Sequence, residues 1–110
     1  MIARVASFEG VNVDVARSTM AEAESVVRPL VEALPGYEGY LELMTSDGKG
    51  LSITFFDSAE HAEAAEPTFD EEMPRRLGDL FKDWEGRRVS VDRYDVVADS
   101  RSTGHAAPTS

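Results

Sequence analysis

The chain of 110 residues is 42% hydrophobic and 29% charged, which is the composition of one ordinary globular domain. Its 21 acidic and 11 basic residues give a formal net charge of -10, and this negative field disfavours both nucleic-acid phosphates and anionic membrane surfaces. The absence of cysteine excludes disulfides, thiolate metal sites and cysteine nucleophiles. The N-terminus lacks the apolar stretch of a signal peptide and no apolar run is long enough to span a bilayer, so we expect a cytoplasmic protein.

The first part of the chain predicts a strand followed by a helix. Residues 2–8 are rich in apolar side chains and contain no breaker, which is typical of a strand. The helix can begin as early as Val13, Pro29 should kink it, and Pro35-Gly36 should end it. Apolar residues recur there with the spacing of one buried helix face: Ala23, Val26, Val27, Leu30, Val31 and Leu34.

A β-hairpin is predicted next. Residues 37–46 and 51–56 each alternate between two side-chain sets, and the turn between them contains two glycines. Leu41 and Leu43 belong to one set of the first strand, whereas Tyr40, Glu42 and Met44 belong to the other. We expect the leucines to face the helices.

The second half predicts helices and then a final strand. Asp57 or Ser58 caps a short alanine-rich helix. A second amphipathic helix, which Pro74 should split or kink, has the following apolar face: Met73, Leu77, Leu80, Phe81 and Trp84. Residues 87–97 read as the last strand, with a bulge expected near Asp92 and Arg93. Residues 99–110 are polar and rich in breakers, so we expect a domain over 1–98 and a disordered tail over 99–110.

The element order β-α-β-β-α-β predicts an α+β, ferredoxin-like fold, in which two helices cover one face of a four-stranded antiparallel sheet. The alternation places several large side chains on the face away from the helices: Phe8, Tyr40, Met44, Phe56 and Tyr94. Such a face is too apolar to be left in water. A second copy of the sheet is its simplest cover, so we expect a homodimer packed sheet to sheet.

Several segments together resemble one known family. They are FEG at the end of strand one, ALPGYEGYLEL, the DGKG turn, SITFFDSAEHA and the closing VDRYDV. Over residues 2–97 the chain is similar to the antibiotic biosynthesis monooxygenase-like family of the dimeric α+β barrel superfamily. The resemblance implies a dimer whose sheets form a barrel, with a pocket between sheet and helices in each subunit. Relatives include cofactor-independent oxygenases of polyketide quinols, haem-degrading enzymes and small isomerases or decarboxylases.

The chain departs from two of these classes at identifiable positions. Haem-degrading relatives carry an asparagine on strand one, then a tryptophan and a haem-ligating histidine in the helix after strand three. The chain has Ser7 at the first position, Ala64-Ala65 at the second and Met73 or Pro74 at the third, which disfavours haem degradation. Quinol oxygenases use asparagine, tryptophan, tyrosine and arginine, of which only the last two have counterparts here: Tyr40, Tyr94, Arg4 and Arg93.

The candidate catalytic residues are therefore Tyr40, Tyr94 and Arg4, because phenol and guanidinium groups can stabilise an oxyanion. The candidate substrate-binding residues surround them: Phe8, Met44, Thr54, Phe56, Arg93 and Trp84. Structural roles remain open for several of these residues. The tyrosines can equally pack at an interface, Arg4 can form an ion pair with Glu42 or with the second subunit, and Trp84 can belong to the core. A surface salt bridge is the alternative for Arg93.

Histidine chemistry has weak support. His61 lies between Glu60 and Glu63, which is more typical of a solvated first helical turn than of a base, and His105 lies in the predicted tail. Neither histidine belongs to a metal-binding motif, and no serine has a histidine–acid partner in sequence. We therefore expect no metal and no cofactor.

Two functions remain open. The first is a cofactor-independent monooxygenase, or a related small enzyme, that acts on an aromatic or polyketide-like molecule. The second is a non-catalytic homodimer that binds a small molecule or is purely structural. A ligand-sized void lined by the candidate residues favours the enzyme, whereas an interior filled with side chains opposes it.

Overall fold

The computed structural model describes residues 1–101, and its elements follow the predicted order. The strands are β1 (Ile2–Glu9), β2 (Tyr37–Met44), β3 (Gly50–Phe56) and β4 (Arg87–Asp95). The helices are α1 (Val13–Glu32), α2 (Ala59–Ala64) and α3 (Met73–Trp84), and a π-helical turn, Thr68–Glu72, leads directly into α3. All strand pairs are antiparallel in the order β2-β3-β1-β4, which confirms the ferredoxin-like fold.

Local sequence explains the helix boundaries. The side chain of Asn12 accepts a hydrogen bond from the backbone N–H of Val15 and caps α1, so the helix begins at Val13, the earliest start that the sequence allowed. Ser58, rather than Asp57, caps α2 through the backbone N–H of His61. Pro74 lies in the first turn of α3, a position in which proline is common.

The predicted bulge in β4 is at a different place. The pairing of β1 with β4 shifts between Ser7, which faces Ser90, and Phe8, which faces Arg88. Val89 is therefore the extra residue, and the ladder is regular at Asp92 and Arg93. Because of this extra residue, Val91 lies on the same face as its partner Ala6. This is why the side chains of β4 do not follow one unbroken alternation between the two faces.

The predicted assignment of the two sheet faces is wrong. Arg4, Thr54 and Tyr40 share one face through the strand registers, and helices cover that face: Arg4 and Thr54 are each 2% exposed. We call it the inner face. It also carries Phe8, Met44 and Phe56, which were expected on the opposite side.

The leucines expected in the core lie on the outer face. Leu41, Leu43 and Leu51 are 37%, 48% and 38% exposed, and they align through the β2–β3 register. Tyr94 pairs with Ala3 and so belongs to this outer face as well. Alternation divides a strand into two sets but does not state which set meets the helices, and the more apolar set is the uncovered one here.

The main buried cluster lies where α2 meets the end of β3. Phe56 is fully buried against Ala62 and Ala65, and Ile2, Leu34 and Phe69 pack around them. The small alanine side chains allow α2 to approach the sheet closely. Phe56 is therefore a core residue, and it does not line the cavity described below.

The predicted tail, 99–110, falls mostly outside the described residues. Of its described part, Arg101 places its guanidinium 4.1 Å from the centre of the Phe55 ring, on the outer side of the sheet. Within residues 1–101 no helix is long and apolar enough to cross a membrane.

Candidate active site

A cavity of about 420 Å³ lies between the inner face of the sheet and the helices. Small residues at its centre leave the space open, because Ala6, Ala16, Ala23 and Gly50 occupy positions where larger side chains would fill it. Larger apolar side chains form the rest of the wall: Phe8, Val11, Met20, Val27, Val31, Met44, Phe69, Met73, Phe81 and Trp84. A volume of this size with a few polar groups is typical of a small-molecule site. A second depression beside Asn12 and Asp47 is shallow and open.

The cavity brings together most of the predicted site residues. Six of the nine line it: Arg4, Phe8, Tyr40, Met44, Thr54 and Trp84. Phe56, Arg93 and Tyr94 do not. Arg93 is exposed although it pairs with Arg4 across the sheet, and Tyr94 is 56% exposed on the outer face.

Arg4 lies at the buried end of the inner face with its charge already paired. Its Nε is 3.1 Å and 3.0 Å from the two carboxylate oxygens of Glu66, and its Nη2 is 2.9 Å from one of them. The guanidinium also stacks on Phe69, 4.0 Å from the ring centre. The partner of Arg4 is thus Glu66, and not Glu42 as the sequence alternative had it. These contacts attach the π-helical turn to the sheet.

Tyr40 presents an unused hydrogen-bond donor. Its hydroxyl is buried and has no hydrogen-bond partner among the described residues. Burial raises the pKa of Tyr40 to about 12, and the neighbouring Glu24 carboxylate adds to the effect without reaching hydrogen-bond geometry. The phenol is therefore protonated at neutral pH and retains a hydrogen-bond donor without an acceptor at the wall of the cavity.

Glu42 is the titratable group that the sequence prediction missed. Burial among protein atoms raises the pKa of its carboxyl to about 7; the hydrogen bond from Ser52 Oγ to Glu42 Oε2 at 2.7 Å opposes this shift, and the nearby Glu24 carboxylate contributes to it. The side chain lines the cavity and also has exposed surface. A carboxyl with this pKa can exchange a proton with a ligand near neutral pH. An acid that alternates with Tyr40 and Met44 on one strand was the available signal.

Trp84 closes the cavity at the end of α3. Its Nε1 donates to Thr19 Oγ1 at 2.8 Å, and its ring lies 5.3 Å from that of Phe81. The hydrogen bond fixes the indole between α1 and α3, so Trp84 serves both as a packing residue and as a wall of the cavity.

His61 lies away from the cavity. Its Nδ1 is 2.6 Å from Asp57 Oδ1, both side chains are nearly half exposed, and the contact lowers the pKa of Asp57. Within residues 1–101 no group of three histidine or acidic side chains could hold a metal ion. His105 lies outside the described residues.

Comparisons with solved structures confirm the fold resemblance at low sequence identity. A protein from Bordetella bronchiseptica, provisionally assigned as an antibiotic biosynthesis monooxygenase, superposes with a TM-score of 0.63 at 14% identity, covering 88% of this chain and 97% of that one. SnoaB, a cofactor-independent oxygenase from Streptomyces nogalater, gives a TM-score of 0.57 at 11% identity, covering 92% and 97%. A dimeric ferredoxin-like protein from an uncultured marine organism gives 0.61 at 13%, covering 90% and 97%.

The sequence itself gives no such match. No protein-family model and no curated protein matches the chain. At these identities the structural likeness establishes the fold that the chain shares with antibiotic biosynthesis monooxygenases, and the activity has to be argued from the site.

Proposed function

We propose that the protein is a cofactor-independent monooxygenase that acts on a planar, electron-rich aromatic or polyketide-like molecule. The observation that carries the proposal is the Glu42 carboxyl, with a pKa of about 7, in an apolar cavity beside the unpartnered hydroxyl of Tyr40. The fold shared with SnoaB, described as a cofactor-independent oxygenase, supports the reaction class.

The roles follow from the chemistry of these groups. The Glu42 carboxylate removes a proton from the substrate, and Tyr40 donates a hydrogen bond to the oxyanion that results. Electrons then pass from the substrate anion to molecular oxygen, a carbon–oxygen bond forms, and loss of water from the peroxide leaves a carbonyl. One phenol O–H, one ring C–H and one molecule of oxygen thus give a quinone and one molecule of water, so the substrate supplies all the electrons. Arg4 is paired with Glu66, so we assign it a structural role in the cavity wall and not the stabilisation of the oxyanion.

Oxygen uptake with a panel of polycyclic phenols and quinols tests the proposal. Removing the base in Glu42→Gln should lower kcat by about 100-fold, and removing the donor in Tyr40→Phe should have a similar effect. Glu38→Gln is the matched control, because Glu38 is an exposed acid on the same strand and does not line the cavity. Activity should rise with pH through about 7, as Glu42 ionises.

Ligand binding without oxygen uptake across the panel would contradict the oxygenase proposal and leave the non-catalytic binding protein as the function. Uptake that Glu42→Gln leaves unchanged would contradict the assignment of the base.

We also propose that the protein is a homodimer packed through the outer face of its sheet. Leu41, Leu43 and Leu51 form an exposed apolar row there, and Tyr94 extends the exposed apolar surface of the same face. A structural neighbour described as a dimeric ferredoxin-like protein supports the arrangement. A monomer by light scattering at micromolar concentration would refute it.

A further inference from the structure

The charged side chains around the cavity are almost all neutralised by partners. Five charged residues line it: Arg4, Glu24, Glu42, Asp70 and Arg88. Arg4 is paired with Glu66 at 2.9 Å and Arg88 with Asp70 at 2.8 Å. Glu24 lies 3.6 Å from Arg28. Among the described residues Glu42 alone in this group has no cationic partner, so it is the uncompensated charge of the cavity.

Glu42 lines the cavity with most of its hydrogen-bonding capacity unused. An ionised carboxylate accepts up to about four hydrogen bonds, and within residues 1–101 only Ser52 donates one to Glu42. The buried Arg4–Glu66 pair is expensive to break, whereas Arg88 is held by an exposed pair with Asp70. Neither arginine is paired with Glu42, so a ligand group that meets the Glu42 carboxylate has to donate a proton or carry a positive charge.

We infer that Glu42 is a specificity-determining residue that selects the ligand by charge: the cavity takes an uncharged hydroxyaromatic molecule whose hydroxyl donates to Glu42, and it rejects the same ring system bearing a carboxylate. The inference rests on the proposed function for the aromatic character of the ligand. It goes beyond that function by fixing the charge class of the substrate.

Electrostatics sets an order of affinity for ligands of one shape. A ligand carboxylate beside Glu42 repels it, so it should bind roughly tenfold more weakly than the phenol. A ring that carries an ammonium group should bind most tightly, because it supplies the missing cation. Such an ammonium group pairs with the Glu42 carboxylate, which then cannot act as the base. We therefore expect the amine to inhibit turnover and not to be oxidised.

The selectivity should depend on pH. The groups around Glu42 are Tyr40 on its own strand, Ser52 from β3, Glu24 from α1 and, two strands away on the same face of the sheet, Arg4 from β1. When Glu42 is protonated its charge vanishes, and it can share its proton with a ligand carboxylate. The rejection of the carboxylate should therefore be strong at about pH 8.5 and weak at about pH 6, on either side of the pKa of about 7.

The chain contains its own probe for the test. Trp84 is the single tryptophan, and its ring lines the cavity, so its fluorescence reports occupancy directly. We would titrate the full-length protein in oxygen-free buffer at about pH 8.5 with 1-naphthol, 1-naphthoate and 1-naphthylmethylamine, which share one ring system. Working without oxygen separates binding from turnover.

The expected order of affinity is the amine, then naphthol, then naphthoate. In Glu42→Gln the three ligands should bind within about threefold of one another, whereas Glu38→Gln should keep the wild-type order. The wild-type protein at about pH 6 gives the same comparison without a substitution, in case the Gln variant does not fold.

Three results would overturn the inference: equal binding of naphthoate and naphthol to the wild type, an order that neither Glu42→Gln nor low pH changes, or no binding of any probe. The expected order together with no oxygen uptake across the phenol panel would instead overturn the proposed oxygenase and leave the charge selectivity standing.

Discussion

The two faces of the sheet differ in polarity, and the difference is the reverse of what burial alone would predict. The inner face, under the helices, carries Arg4, Glu42 and Thr54, whereas the outer face carries an exposed row of leucines. The sheet tolerates these polar groups because Glu66 pairs with Arg4 and because Glu42 lines a cavity instead of lying in the packed core. We interpret the polar inner face as the proposed site and the apolar outer face as the proposed dimer interface.

The largest expected effect tests the stability of the inner face. Glu66→Ala leaves the nearly inaccessible Arg4 guanidinium without its partner, and we expect the free energy of unfolding to fall by about 3 kcal/mol. Urea unfolding at a fixed protein concentration measures it. Glu32→Ala is the control, since the Arg28–Glu32 pair is exposed and should contribute less than about 0.5 kcal/mol. Equal losses in the two variants would show that burial of Arg4 does not matter.

The next effect concerns the outer face. Leu43→Glu places a charge in the middle of the proposed interface, which should weaken dimerisation by about 3 kcal/mol, or roughly 100-fold in Kd. Light scattering across a concentration series measures the change. Val97→Glu is the control, because Val97 is 94% exposed beyond the end of β4. An unchanged mass for Leu43→Glu would remove the outer face as the interface.

The smallest effect is the pH dependence of folding through Glu42. The folded-state pKa of about 7 lies above the ordinary value of 4.5, so the folded protein binds more protons than the unfolded chain between these values. Stability from this group is present below about pH 4.5 and is lost as the pH rises to about 7. Because the carboxyl faces an accessible cavity, we expect a loss of only about 1 kcal/mol.

Comparing urea unfolding of the wild type with Glu42→Gln isolates that contribution. Other carboxyls, such as Asp57 and Glu72, have lowered pKa values and act in the opposite direction in both proteins. A difference between the two proteins that grows as the pH falls below about 7 is expected; a constant difference would contradict the raised pKa of Glu42.

The predicted face of each strand illustrates where sequence reasoning was insufficient. Tyr40, Glu42 and Met44 were correctly grouped as one side-chain set, but the set was placed opposite the helices. The set contains Tyr40 and Glu42, so it was judged less suitable for burial under the helices than the set with Leu41 and Leu43. The decisive partner, Glu66, is 62 residues from Arg4 in the chain, so the pair could not be seen locally.

The same limit applies to the candidate site. Six of the nine proposed residues meet around one cavity, because residues on one face of neighbouring strands remain together whichever way the face points. Phe56 became core because Ala62 and Ala65 pack directly on it. Tyr94 was correctly expected on the face away from the helices, but it was wrongly grouped there with Tyr40, which lies on the inner face.

The sequence alone determined the element order, the hairpin turn and the start of α1, since these depend on periodicity, capping groups and glycine–proline signals that act over a few residues. It also determined which side chains share a face of β1, β2 and β3, although not of β4. Only the tertiary structure decided which face the helices cover, where a cavity remains and which charge in it has no partner. Those features depend on contacts between segments far apart in the chain, and hydrophobic alternation is symmetric between the two faces of a sheet.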